Sequence, residues 1–298
     1  MKKLLFAALH CLRITRFAAW WNRRRVVFLC YHGVTRSPAP RPSDPHGLHV
    51  YHERFARQLA FLRRNYNLIS LDNYLAAAGE GRQLPDYSLV VTFDDGFRNF
   101  LTVAAPMLAE RNIPATVFVI TDYAAGEPSG LRAAEWTPTD DQRYVSWDEI
   151  RQLKEKYGFG FGSHTCSHSR LLTLTPLEAE RELAHSFSDL RTQLNLTQPS
   201  LSYPKGEYSE MLAADARKLG YACAVTTDRG INELSHDRFT LGRSLIGDHD
   251  DEASFAVRVS GLRWWLARAA SAFGWRRTAA HPLPAQRPAP AHGLRLQD

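Results

Sequence analysis

The sequence is poor in cysteine: Cys11, Cys30, Cys166 and Cys223 lie scattered through 298 residues, with no C-x-x-C pair among them. That density excludes a disulfide scaffold, and the spacing excludes a zinc ribbon. A reducing compartment follows as the expectation. Acid is missing from both ends. Residues 1–25 carry seven Lys or Arg and no Asp or Glu, and residues 254–298 carry seven Arg against Asp298 alone. The net charge of +6 therefore hides a middle segment that is acidic by seven. A nucleic-acid enzyme concentrates positive charge at its cleft, so this distribution argues against nucleic acid as a partner. Basic ends bearing tryptophans suit an anionic membrane surface better. The opening stretch MKKLLFAALHCLRITRFAAWWNRRR also lacks the marks of a secretory signal. His10, Arg13 and Arg16 interrupt its apolar run, and no A-x-A-like site follows. It is too short and too charged to span a bilayer. Residues 1–25 read as a basic helix that either lies on a membrane or packs on the domain. No internal repeat is visible.

What is present is a β-then-α rhythm. Apolar runs at 26–31 (VVFLCY), 89–93 (LVVTF), 115–120 (ATVFVI), 158–163 (GFGFGS), 200–203 (SLSY), 222–226 (ACAVT) and 240–246 (TLGRSLI) read as strands. Helical spacing of Phe55, Leu59 and Leu62 predicts one helix, and others are predicted over 98–112 and near 147–156, 176–194 and 208–219. Such alternation implies parallel strands with helices outside. About seven units favour an α/β fold in the form of a distorted, incomplete (β/α) barrel over residues 26–250. Chemistry in barrels sits at the C-terminal strand ends. Residues 124–143 read as a polar loop at the mouth. Residues 251–277 place Phe255, Val259, Leu262, Leu266, Ala269 and Phe273 on one stripe of an amphipathic helix. That helix either docks on the barrel or, through Trp264 and its flanking arginines, touches a membrane. The Pro-containing tail 278–298 reads as disordered.

Two stretches carry chemistry. VVTFDDGF, residues 90–97, sets Asp94 beside Asp95 at a strand end, where like charges repel. GSHTCSH, residues 162–168, sets His164 and His168 four apart at another strand end. Each pattern alone has an ordinary structural explanation, for an acidic pair often caps a helix. Together they compose two imidazoles and a carboxylate, a catalytic zinc set that leaves a position open for water. Asp95 then ligates. The cation offsets its repulsion with Asp94 and keeps Asp94 ionised, ready to take a proton. Gly96 would let the chain turn tightly enough for both carboxylates to reach the site.

TFDDGF, then SHTCSH, then YPKGEYS resembles the polysaccharide deacetylases, the carbohydrate esterase group that includes chitin and peptidoglycan deacetylases. The resemblance runs from FLCYHGV (28–34) to LGRSLI (241–246) and follows the branch with a YPxG third motif. It implies a distorted (β/α) barrel, a divalent metal and hydrolysis of N-acetyl groups on a glycan. It assigns Asp94 as general base and Asp95, His164 and His168 as metal ligands. Thr165 falls where the family keeps a hydroxyl that seats the loop. Tyr203 and Pro204 match the third motif, whose following backbone N–H, that of Lys205, is implied to hold the oxyanion. Zinc is the first expectation for the metal, with cobalt, nickel or manganese as alternatives.

Two family residues are absent. Ser202 stands where many members carry an arginine that braces the base, and LGRSLI lacks the histidine that acts as acid. Arg243 is the candidate to brace Asp94 from another strand, against the alternative of an ion pair elsewhere. His32, at the end of the first strand, is the candidate acid, against a structural hydrogen-bonded histidine. Trp136, Trp147 and Tyr208 are candidate sugar-stacking residues, although packing alone would also explain Trp147. The expected partner is an N-acetylated glycan, with no nucleic acid and no protein partner. A non-catalytic carbohydrate-binding relative and another mononuclear metallohydrolase, such as a deformylase, are the alternatives. The expected location is cytoplasmic, peripheral at the membrane, with an anchor facing the periplasm as the alternative.

Overall fold

The computed structural model describes residues 2–38, 44, 46–126, 143–228 and 230–266. Its centre is a sheet whose two middle strands, β1 (Val26–Tyr31) and β5 (Ser88–Phe93), are buried at all six positions. Continuous β-branched and aromatic runs of that kind need cover on both faces, which parallel strands with outer helices provide. Five registered pairs join β1 to β5 in parallel. Onward from β5 come β6 (Thr116–Val119), β7 (Gly160–Ser163), β8 (Leu201–Ser202) and β9 (Ala224–Val225), each parallel to the last.

Short strands fill the remaining edges. β4 (Asn67–Leu68) pairs with the start of β5, ahead of the stretch that β6 takes. β10 (Ile231–Asn232) runs antiparallel along the start of β1, and β11 (Ser244–Leu245) lies parallel to its end. β2 (Gly33–Thr35) and β3 (His49–Tyr51) form a separate parallel pair. The run at 240–246 is thus a strand in two pieces. Leu241 bridges to Val225 of β9, while Ser244 and Leu245 pair with β1. Asn232 binds Gly242 between them through both its amide groups, which pulls the chain off a regular ladder. Among the described residues no continuous ladder closes the ring, so the barrel is distorted and incomplete.

Helices fill the crossovers. α3 (His52–Asn65) and α4 (Leu71–Glu80) precede β5, and a π-helical turn at Phe100–Ala104 leads into α5 (Ala105–Ala109) before β6. α6 (Thr121–Ala124) and α7 (Trp147–Tyr157) precede β7. α8 (Pro176–Leu194) leads to β8 and α9 (Glu210–Leu219) to β9. Capping boxes at Ser146/Glu149 and Thr175/Glu178 start α7 and α8, each satisfying two otherwise open N–H groups.

The ends depart from their expected single helices. Residues 1–25 form α1 (Lys2–Cys11) and α2 (Ile14–Trp21), separated at Arg13, which is left-handed at φ 59°. The bend lets Phe6 and Leu9 of α1 and Ile14 and Ala18 of α2 gather on Val257 and Leu262. Past residue 250, α10 (Glu252–Val259) stops at Gly261, φ 76°, where a Cβ would run into Ile231. Asn22 donates to the Ser260 carbonyl freed there, at 3.0 Å. Phe255, Val259 and Leu262 are buried, as the stripe predicts, whereas Leu266 is exposed. Ala269, Phe273, the tail 278–298, and the 124–143 loop from 127 to 142 with Trp136 lie outside the described residues.

Candidate active site

The site forms where β1, β5, β7 and β8 end. Asp94 extends β5 by one residue, its N–H donating to Tyr31 O at 2.8 Å. Along a strand, neighbouring side chains point to opposite faces. Asp95 and Gly96 break that alternation, with φ of 72° and 73°. A Cβ on Gly96 would press on Val119 at 3.0 Å, so glycine is needed there for space as well as for φ. The turn swings both carboxylates inward, and both are buried.

The histidine loop is pinned from below. Thr165 and His168 are also left-handed, at φ 64° and 61°. Such backbone persists only where its surroundings hold it. Here Ser163 Oγ accepts from Thr165 N at 3.0 Å, and Thr165 Oγ1 accepts from His168 N at 3.2 Å. Glu182 of α8 accepts from the N–H groups of Cys166 and Ser167, both at 3.0 Å, and from the Ser167 hydroxyl at 2.6 Å.

Asp95 Oδ1 then lies 3.4 Å from His164 Nε2 and 3.5 Å from His168 Nε2. Ligands bonded tetrahedrally to one ion at about 2.0–2.1 Å sit about 3.3–3.4 Å from each other, by the geometry of a tetrahedron. The spacing therefore fits one small divalent cation. Nδ1 of His164 donates to Ser202 O at 2.8 Å, which leaves its Nε2 lone pair free to face the ion. Asp95, His164 and His168 form a metal-ligand group by proximity and chemistry alike.

Asp94 is held quite differently. Arg243 donates to Asp94 Oδ1 at 2.7 Å and to Oδ2 at 2.6 Å. Its other N–H groups reach Thr226 O at 3.0 Å, Thr92 Oγ1 at 2.9 Å and Ser202 Oγ at 2.8 Å. All five guanidinium donors are thus placed, in a side chain with no exposure. Ser202 and Cys30 each donate to Asp94 Oδ2 as well, at 3.2 and 3.3 Å. Burial alone would raise the Asp94 pKa. The charge of Arg243 outweighs it and holds the carboxyl well below the usual range. Asp94 is therefore an ionised base fixed in orientation, 3.8 Å from His164 Nε2.

His32 stands beside this pair. Its ring, Cys30 Sγ and an Asp94 oxygen lie within 4.8 Å of one another. That second group is ill suited to a cation, because Arg243 already covers both Asp94 oxygens and burial pushes the Cys30 thiol far up. Burial lowers the pKa of His32, against the pull of Asp95 and Asp94, and its Nδ1 has no hydrogen-bond partner among the described residues.

Other sequence-predicted residues are placed less centrally. Lys205 follows the Ser202 carbonyl that orients His164 by three residues and sits at φ 61° in the turn Pro204–Gly206. Tyr203 does not line the site. Its ring is fully buried against Tyr208, and its hydroxyl donates to Phe239 O at 3.2 Å. Trp147 likewise packs in the main core as the first residue of α7, so its role is packing. Sequence reasoning missed Thr92, Cys30, Ser202 and Glu182. It also missed the ring wall at the rim, where Phe97 stacks on Tyr144 at 5.0 Å and Tyr144 meets Tyr123 at 4.4 Å. Phe97, directly after the DDG, was the available signal.

This geometry defines a class: an incomplete α/β barrel with a mononuclear His-His-Asp metal set and a separate arginine-braced aspartate. Comparison with known proteins makes the class specific. The polysaccharide deacetylase family model matches residues 81–224. The poly-beta-1,6-N-acetyl-D-glucosamine N-deacetylase of Escherichia coli (strain K12) is 24% identical over 268 residues. That alignment covers 80% of this chain and 39% of the Escherichia coli protein. The Streptococcus pyogenes deacetylase PplD, solved with acetate, superposes with a TM-score of 0.66 at 24% identity, over 79% of this chain and 98% of that one. IcaB from Ammonifex degensii gives 0.63 at 23% identity, over 80% and 97%. These structural likenesses establish the fold.

Proposed function

We propose that the protein is a metal-dependent N-deacetylase that hydrolyses N-acetyl groups on a glycan, releasing acetate and a free amine. The observation that carries this reading is the pairing of a tetrahedrally spaced His-His-Asp group with an adjacent carboxylate that Arg243 keeps off the metal. Asp95, His164 and His168 would hold the cation. Two imidazoles and one carboxylate suit zinc first, with cobalt, nickel or manganese compatible. When bound, such an ion supplies Lewis-acid polarisation of the amide carbonyl and lowers the pKa of a coordinated water.

The chain's own groups do the rest. Asp94 accepts the water proton, oriented by four donors that leave it no other conformation. The Lys205 N–H, directly after Pro204 in its turn, would hold the developing oxyanion. His32 rests neutral, so it delivers a proton to the leaving amine only after receiving one, and Asp94 is the adjacent supply. Phe97 and Tyr144 offer ring faces on which a sugar stacks.

The test is acetate release from a panel of N-acetylated glycans, with metal analysis on the same samples. Asp94→Asn should retain one metal per chain and lose activity. Absence of acetate release from every glycan by metal-loaded protein would reject the reading. For His32→Ala, an unaltered rate and pH profile would reject the acid assignment.

A further inference from the structure

We infer that the N-terminal helix pair is a docking surface for an anionic lipid membrane, built at the end of the barrel opposite the catalytic rim. This inference is independent of the metal and of the reaction.

The apolar residues of α1 and α2 divide into two sets. Phe6, Leu9, Ile14 and Ala18 turn inward onto Val257 and Leu262. Leu4, Leu5, Leu12, Phe17, Trp20 and Trp21 do not, with exposures from 48% for Trp20 to 77% for Leu4. Phe17, Trp20 and Trp21 form one ring cluster, with centroids 5.8 to 6.4 Å apart. These six account for most of the large exposed hydrophobics among the described residues. A helix pair that only packed on the domain would need the inward set alone. A concentrated outer set of Trp, Phe and Leu is what an interfacial helix presents.

Charge selects the occupant. The same segment holds seven Lys or Arg and no acid, in a protein whose middle is acidic. Arg13, Arg16 and Arg24 are exposed. At the corner between α1 and α2 opens a cavity of about 560 Å³, lined by His10, Arg13, Arg16, Arg64, Tyr66 and Tyr87 among others. Among the described residues no Asp or Glu lines it. Three guanidiniums and the Tyr87 phenol around a recess that size suit an anionic headgroup, with Phe17, Trp20 and Trp21 entering the acyl boundary alongside.

Position gives the orientation. Tyr87, just before β5, donates its N–H to Arg23 O, and Arg23 pairs with Asp86 at 3.2 Å. The helix pair therefore sits where β1 and β5 begin, whereas Asp94 and His32 lie where they end. Six residues of strand separate the two by about 20 Å. Docked this way, the enzyme holds its catalytic rim away from the lipid, toward glycan extending from the surface.

The test is co-sedimentation of the full chain with vesicles of phosphatidylcholine, alone or with about one third phosphatidylglycerol. The expected result is binding to the anionic vesicles, little to the neutral ones, and loss at high salt. Replacing Arg13, Arg16 and Arg24 with Gln should weaken partition about a hundredfold, at about fivefold per charge. Trp20→Ser with Trp21→Ser should weaken it at least about tenfold. Acetate release from a soluble substrate should be unchanged in both variants, since neither set touches the site. Equal binding to both vesicle types by the unaltered chain, or none to either, would overturn the proposal. So would self-association that is blocked by the Trp variants and indifferent to lipid, which would make this face a contact between copies.

Discussion

Asp94 and Arg243 act as one unit, and the chemistry of the site depends on how completely each satisfies the other. A buried carboxylate with both oxygens on a guanidinium cannot drift toward a cation held by Asp95, His164 and His168, so it would stay a base rather than a ligand. Asp94→Asn should keep the metal and lower the rate by about 10²–10⁴-fold, read as acetate release. Arg243→Met should leave a buried charge unpaired and cost about 3–5 kcal/mol, measured by urea unfolding. It should also shift the acid limb of the pH–rate profile upward, because burial then acts on Asp94 without the guanidinium charge that opposes it most. The sign is fixed by the depressed pKa. The pair's stability is fully present above the ordinary carboxylate range, near pH 4, and is lost only as pH falls through the lower folded value. An unmoved acid limb in Arg243→Met would contradict the bracing role. Ser202, small where the family often carries arginine, accepts from that same guanidinium and passes a hydrogen bond to Asp94. The missing brace is supplied from residue 243 instead.

Among the elements, the loop from Ser163 to His168 is the one that must not move. Between its two left-handed residues, Cys166 and Ser167 are held by Glu182, which stands 14 residues beyond His168 on a different element. Glu182→Ala should weaken metal affinity by about 10–100-fold, in the manner of outer-sphere partners, with helix content unchanged. Titration with a metal indicator would show it, and an unchanged affinity would count against the pinning. The ligands themselves were legible in the sequence because DD before Gly and H-x-x-x-H are local patterns. Glu182, Thr92, Cys30 and Ser202 were not, since their partners are distant in the chain and nothing local marks them. The strands β1, β5, β6 and β7 were legible because buried parallel strands are continuous apolar runs. The break at Gly261 and the bend at Arg13 were not. Each is set by a tertiary contact, Ile231 in one case and the α10 surface in the other.

As a whole, the molecule sets its candidate active site and its basic helices apart along the strand axis. Catalytic groups crowd the C-terminal strand ends, and the basic, tryptophan-bearing helices sit at the other end. The four cysteines are free, three of them buried, which agrees with the expectation of no disulfide framework. No helix among the described residues is long and apolar enough to cross a membrane. A cation bound by elements as distant in sequence as β5 and β7 should stabilise the whole domain. At zinc concentrations a hundredfold above Kd the gain is about 2.7 kcal/mol, seen as a rise in Tm that a chelator reverses. Asp94→Asn should keep that rise and His164→Ala should lose it.

The most direct measurement is X-ray absorption at the zinc edge of the loaded protein. The account predicts a first shell of about two imidazole nitrogens plus oxygens at about 2.0–2.1 Å, one zinc per chain. An all-oxygen shell would contradict it, and so would a sulfur at about 2.3 Å, which would place the ion on Cys30, His32 and Asp94 instead.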